Sequence, residues 1–287
     1  MSRNYYCLVA GLPDIVPDDK KLHFSAVQLR NYLRSELHPD DYDMIMLFYL
    51  PWDHENLLNV CFNTGKPWDE RGNYSMEQIH QLADKKQFEI MDRAEFPLYF
   101  SEFIELFHDE EEDITVSTGS HFLTKSWHEM LSGHSNEFVR EVGAYKLNIG
   151  NIMVALNGRK FNIPVEDSLI GSDEVTHALR KSRSRDFGLS AEISDIEEII
   201  QMFEIHDILE RELRIDNHFW KFLDEASFFN YFTAEKVLAF VLKVFIAERW
   251  HKLDTEKGQQ MFVRLLAELQ SNFVIPEEFA TTYGKRK

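Results

Sequence analysis

The feature that most narrows the folding options is the register of apolar residues in NEFVREVGAYKLNIGNIMVALNGRK. Phe138, Val142, Tyr145, Ile149, Ile152 and Leu156 advance by steps of 4, 3, 4, 3 and 4. Such steps place all six side chains on one side of an α-helix and do not match the two-residue period of a strand. One long helix of roughly 30 Å is predicted, at about 1.5 Å per residue, ending at Gly158. Its seam is expected to pack on neighbouring helices of the same chain rather than to form a coiled-coil dimer. Gly143 and Gly150 cost helix propensity there, and their spacing leaves room for a close neighbour.

Helical punctuation extends to both ends of the chain. Ala26, Leu29, Leu33 and Leu37 share a face and stop at Pro39; Asp40 or Asp41 is expected to cap DYDMIMLFYL, which stops at Pro51. Asp53 is a candidate cap for HENLLNVCF, closed by Asn63 and Gly65. Ser75 with Gln78 and Ser194 with Glu197 read as capping boxes, and Pro97 suits the first turn of LYFSEFIELF. AEKVLAFVLKVFIAERWHKL, beginning at Thr233 or Ala234, is apolar nearly all round and is expected to be central. Asp254 or Thr255 starts a last predicted helix with Phe262, Leu265, Leu266 and Leu269 on one face, stopped by Pro276. Tyr5 to Leu12 reads as a short apolar segment docking the N-terminus, released by Gly11 and Pro13 toward Asp18. The expected class is all-α, or nearly so, in multi-helix bundle lobes.

The acidic run at 109–113, followed by a β-branched and Gly/Ser stretch read as a loop or short edge strand, is the clearest change of composition. It divides an N-terminal helical lobe, 1–115, from a C-terminal one, 120–287, or else interrupts one continuous domain. The run lacks the ligand-Gly-ligand spacing of a calcium loop and reads as solvated.

Charge sets limits on partners. Thirty-one Lys and Arg stand against 49 Asp and Glu, a net charge of −18, so the average field repels nucleic acid. Against that background, Arg180, Lys181, Arg183 and Arg185 in LRKSRSRDF form the one concentrated basic cluster. Without interleaved aromatics it suits an acidic partner or phosphate surface better than a nucleic acid. Cys7 and Cys61 lie far apart in sequence and are expected to be free, buried thiols of a reducing compartment. The opening run is too short and too weakly charged for an export signal, and Val237 to Ala247 is about half a bilayer span, broken by Lys243. A cytoplasmic chain without direct membrane insertion is expected.

Catalytic signals are sparse. No phosphate-binding glycine pattern follows the opening run, and NTGKPW lacks the upstream glycine of a P-loop. No nucleophile motif occurs, and His121, His128 and His134 do not share one helix face, which makes them surface or capping residues. Two Glu-x-x-His pairs, Glu77 with His80 and Glu105 with His108, have the i, i+3 spacing of a carboxylate-bridged two-metal site. Glu102, Glu137 or Glu141 would then supply the further carboxylates. In a chain with 12 His, chance alone gives about one such pair, so a helical carboxylate-His metalloenzyme stands as the alternative, and no cofactor is expected.

Three stretches carry a family resemblance: YYCLVAGLPDI, LFYLPWDHENLLN and FVREVGAYKLNIGNIMVALNGRKFN. Together they resemble an uncharacterised bacterial family encoded among V-type ATPase subunits. The long helix is also similar to part of the V-type ATPase subunit called C or d, with Glu141, Asn148 or Asn151, Arg159 and Lys160 in comparable places. FTAEKVLAFVLKVFIAERWHKLD resembles a late helix of that subunit through Phe232, Glu235, Glu248 and Arg249. The resemblance implies a non-catalytic stalk or rotor coupling or accessory subunit, peripheral at the inner face of the membrane. Central-stalk and membrane-ring subunits would be its partners, and an assembly factor for the same ATPase is the other implied role. Arg159 and Lys160, with the cluster from Arg180 to Arg185, are then the candidate partner-binding residues.

Overall fold

The computed structural model describes residues 3–16 and 22–252, and among them every regular element is helical. The N-terminal helices are α1 (Tyr6–Gly11), α2 (Ala26–Glu36), α3 (Pro39–Met46), α4 (Leu50–Phe62), α5 (Met76–Ala83), α6 (Lys85–Phe88) and α7 (Leu98–His108). They are followed by α8 (Val116–Ser132), α9 (Glu137–Phe161), α10 (Glu174–Lys181), α11 (Ile196–Glu204), α12 (Ile208–Ala226) and α13 (Ala234–Lys252). The all-α expectation therefore holds across the described residues. The last predicted helix, from Asp254 or Thr255 to Pro276, lies outside them, as does Asp18.

Local chemistry accounts for most of the helix starts. Ser25 with Gln28 and Ser75 with Gln78 close reciprocal capping boxes, satisfying two of the amide groups that a helix start leaves unpaired. Other starts depart from the sequence expectation. His38, rather than Asp40 or Asp41, caps α3, with Pro39 in its first turn. Pro51 opens α4 instead of closing α3, because a proline without an N–H is tolerated only where that N–H would be unpaired. The stretch after the acidic run is neither loop nor strand: Thr115 and Thr118 form a capping box and α8 follows at once. Its Gly119 fits because a Cβ there would stand 2.9 Å from the Phe103 ring of α7. Asp195, not Ser194, sits at the start of α11 and makes no cap hydrogen bond.

The long helix α9 packs as its seam requires, against α8, α10, α11 and α12 of its own chain. It runs past Gly158 to Phe161 and ends on Asn162 in the left-handed conformation (φ 54°), a role Asn can fill. Its N-terminal half lies in one apolar core with α1–α8, the C-terminal part of α12, and α13. Its C-terminal half organises a second core with Leu169, Leu179, Phe187, Leu189 and the apolar face of α11. The acidic run is thus an exposed connection between two helices, α7 and α8, of the first core.

Helix α13 is central, as its apolar circumference predicts, with Val237, Leu238, Val241 and Leu242 all fully or nearly fully buried. Its Glu248 is buried too, and its carboxylate accepts the backbone N–H of Ala26 at 2.7 Å, completing the start of α2. The Tyr49 hydroxyl donates to the Ala26 carbonyl at 3.0 Å on the same turn. At the other end of α13, the chain start docks as expected: Tyr5 donates its N–H to the Phe232 carbonyl at 2.6 Å, and Leu8 is buried.

The two glycines of α9 differ. A Cβ at Gly143 would stand 2.9 Å from Leu131 Cβ, whereas nothing lies within 4 Å at Gly150, so only the first marks a close approach. Overpacking costs ~1–3 kcal/mol and outweighs the ~1 kcal/mol that Gly→Ala gains in a helix interior. Gly143→Ala is therefore expected to destabilise the protein and Gly150→Ala to stabilise it by up to ~1 kcal/mol, measured by urea unfolding.

Candidate functional site

The C-terminal end of α9 and the basic loop after α10 form one surface, and most of its cations are used internally. Arg159 Nη1 donates to the carbonyls of Ser184 (2.6 Å) and Arg185 (3.3 Å), and Nη2 to that of Ser182 (2.7 Å). Its guanidinium lies 3.4 Å from the centroid of the buried Phe187 ring. This clamp holds a strained turn, because Phe187 has φ 57°, a region a bulky residue rarely occupies. Arg180 donates to the carbonyls of Leu169 (3.1 Å) and Gly171 (3.3 Å). Arg185 pairs with Glu197 and Glu204 of α11. The buried Asn151 of α9 fixes the preceding loop by donating to the Ile170 carbonyl (2.7 Å) and accepting its N–H (3.0 Å).

Lys160, Lys181 and Arg183 remain. All three are exposed, and among the described residues none of them makes an ion pair or a side-chain hydrogen bond. Lys160 Nζ sits 5.3 Å from the Phe203 ring centroid, beside a cavity of about 410 Å³ that Leu156, Phe203 and His206 also line. Of the six candidate partner-binding residues, three build the surface and three are free to engage something outside it.

The metal candidates do not assemble. Glu77 and His80 are exposed on α5, and Glu77 accepts the Gln81 amide at 3.5 Å. Glu105 on α7 pairs with Arg93 at 3.3 Å. His108 Nε2 donates to the Ala83 carbonyl at 3.0 Å, so that nitrogen has no lone pair for a metal. Among the described residues, no group of three or more His, Cys, Asp or Glu could hold a metal ion. Nor are the thiols both buried as expected: Cys7 is exposed, and Cys61 is half-buried, its thiol pushed up to about 12 by burial.

Long-range polar groups that sequence spacing gave no sign of lie in the interior. His218 of α12 is held between the Tyr145 hydroxyl (2.5 Å to Nδ1) and the Asp195 carboxylate (2.8 Å to Nε2). The carboxylate accepts from Nε2–H, which leaves Nδ1 to accept the phenol proton. Burial holds the Tyr145 pKa above its ordinary value, with Asp195 adding to the effect, so the phenol is not an activated nucleophile. The network ties α9, α11 and α12 at the meeting of the two cores.

A second buried group lies in the first core. His54 contacts the Tyr99 hydroxyl at 2.7 Å, and His128, expected at the surface, is buried with its Nδ1 unpaired. Burial pulls His54 down to about 3, with His128 adding to it, and pulls His128 down to about 4. Asp53 is no helix cap. It is buried inside the first turn of α4, where it accepts the N–H groups of Asn73 (2.9 Å) and Tyr74 (3.1 Å). Burial pushes it up to about 7 against the pull of those two donors.

Among the described residues these features define an all-helical protein with two apolar cores and no assembled metal centre. The chain belongs to the family described as protein of unknown function (DUF2764), whose model matches residues 1–273. No curated protein and no solved structure matches it, and no match connects it with the V-type ATPase C/d subunit.

Replacing the Arg159 clamp is expected to loosen the basic loop locally. Arg159→Ala should raise amide exchange at 182–187 by about tenfold or more, while Lys181→Ala with Arg183→Ala leaves it unchanged. The buried titratable groups set a pH dependence. His54 and His128 have folded pKa values below the unfolded ~6.5, so their contribution is present above that pH and lost as pH falls toward 4 and 3. Asp53 has the opposite sign: its contribution is present below about 4 and lost as pH rises through about 7. Between pH ~4 and ~6.5 two protons oppose one, so these groups make stability rise with pH, by at most ~1.4 kcal/mol per unit. His128→Gln should flatten that rise and Asp53→Asn steepen it, as read by urea unfolding at a series of pH values.

Proposed function

We propose that this protein is a non-catalytic, helical component associated with a V-type ATPase, either a stalk or rotor accessory subunit or a factor that assembles the complex. The family resemblance of its three sequence stretches motivates the ATPase, and the observation that carries the docking role is the division of labour in the basic surface. Arg159, Arg180 and Arg185 hold the loop in shape, and Lys160, Lys181 and Arg183 lie exposed on the same surface without an ion pair or side-chain hydrogen bond among the described residues. A preformed loop loses little conformational entropy on docking, and exposed cations suit an acidic partner surface. On a chain of net charge −18, such a patch also orients the encounter. Among the described residues no helix is long and apolar enough to cross a membrane, so membrane proximity would come through the ATPase itself.

Affinity purification at low salt from cells expressing the ATPase tests the reading. Central-stalk and membrane-ring subunits are expected to co-purify, and Lys181→Glu with Arg183→Glu should cut their recovery by about tenfold or more without lowering the melting temperature. Presence in the finished enzyme marks a resident subunit, and presence only in partial complexes marks an assembly factor. A protein that runs alone, with the ATPase complete and active in its absence, would refute both.

A further inference from the structure

We propose that the groove between α9, α12 and the start of α11 is a docking site for a basic segment of a partner protein, one carrying arginine or lysine beside apolar residues. The groove encloses about 540 Å³, and none of the free cations described above lines it. Its floor is apolar, formed by Ile149, Ile193 and Phe222, with Ala144 and Ala226 at its edges. Small residues at the edge admit a neighbouring backbone, and a half-buried isoleucine and phenylalanine floor gives it apolar surface to cover.

The rim settles the chemistry of the occupant. Glu141, Glu192, Asp195 and Glu225 line it, and among the described residues no lysine or arginine does. Asp195 is engaged by His218, and Glu225 has only Lys221 at 3.8 Å, an exposed pair of little energetic weight. Glu141 and Glu192 are exposed and make no ion pair among the described residues, and the Asn148 amide beside them makes no side-chain hydrogen bond. An acidic rim around an apolar floor is complementary to a cationic amphipathic segment, whose carbon stems cover the floor while its charged ends reach the carboxylates. The same rim repels nucleic acid, anionic lipid and acidic proteins. The Tyr145–His218–Asp195 network makes the wall rigid, since Tyr145 lines the groove and stacks on Phe222 with ring centroids 4.4 Å apart. The site differs in sign from the basic loop, so it accepts a different partner surface and does not depend on the ATPase reading.

Site-directed photocrosslinking in the cell that makes the protein tests this. A photoreactive phenylalanine analogue is placed at Ala144 in the full chain, with the same probe at the exposed Glu89 as the comparison position. The expected result is an adduct at Ala144, absent at Glu89, that mass spectrometry maps to a lysine- or arginine-bearing segment of another protein. Charge reversal by Glu141→Lys with Glu192→Lys should lower its yield by about tenfold or more, and Lys181→Glu with Arg183→Glu should leave it intact. If the reversed variant melts at a lower temperature than the parent, Glu141→Gln with Glu192→Gln carries the same comparison. The proposal is overturned by no adduct above the Glu89 level or by an adduct on a neutral or acidic segment. It is equally overturned by one on this chain's own Lys285–Lys287 tail, or by a yield indifferent to the groove charges.

Discussion

Everything in the second core depends on one continuous helix that already belongs to the first. Phe138, Val139 and Val142 of α9 are buried with α4, α8 and α13, and about three turns further on Ile152, Ala155 and Leu156 are buried with α10 and α11. At 25 residues, α9 is about twice the length of a typical globular helix, which lets it serve both. The close approach at Gly143 seats its first half on Leu131, and whatever the second half gathers is then fixed in direction by the same backbone. The basic loop packs against that second half and the acidic groove runs along the middle of the same helix, so neither is a freely hinged appendage.

Polar interior groups reinforce the joint rather than do chemistry. The Tyr145–His218–Asp195 network spans α9, α12 and the start of α11, and its phenol is held protonated by burial. Three residues that carried the resemblance of the late helix, Glu235, Glu248 and Arg249, are similarly structural. Glu235 accepts the Asn136 amide at 2.7 Å, Glu248 completes the start of α2, and Arg249 joins Glu212 and Asp216 of α12. Conspicuous charges in a sequence of this kind can be occupied by the fold before any partner arrives.

What the sequence made legible followed the range of the forces involved. The seam of α9 and the Ser75 box are local, set by residues within a turn or two of each other, and the apolar pattern identified the class. Thr115 escaped because Thr-x-x-Thr is a weak cap signal beside a Gly/Ser run that reads as loop; the glycine is there to admit the Phe103 ring, a contact between different helices. Gly158 does not stop the helix; it is small because Val165 folds back to within 2.6 Å of where its Cβ would be. The composition of the basic cluster was visible, but which of its cations were already spoken for depended on carbonyls and carboxylates 9 to 26 residues away. The Tyr145–His218 contact, 73 residues apart, left no mark on spacing at all.

The buried Glu248 has a consequence for how the chain is made. It supplies a hydrogen bond to Ala26, 222 residues earlier, so the start of α2 lacks that partner until almost the whole described chain has been synthesised. At about 5–20 residues per second, that interval is on the order of ten to forty seconds. During it the apolar face of α2, with Leu29 and Leu33 fully buried in the finished protein, has no α13 to cover it. The N-terminal helices therefore spend that interval on the ribosome as an incomplete core, and the first core closes only as α13 emerges.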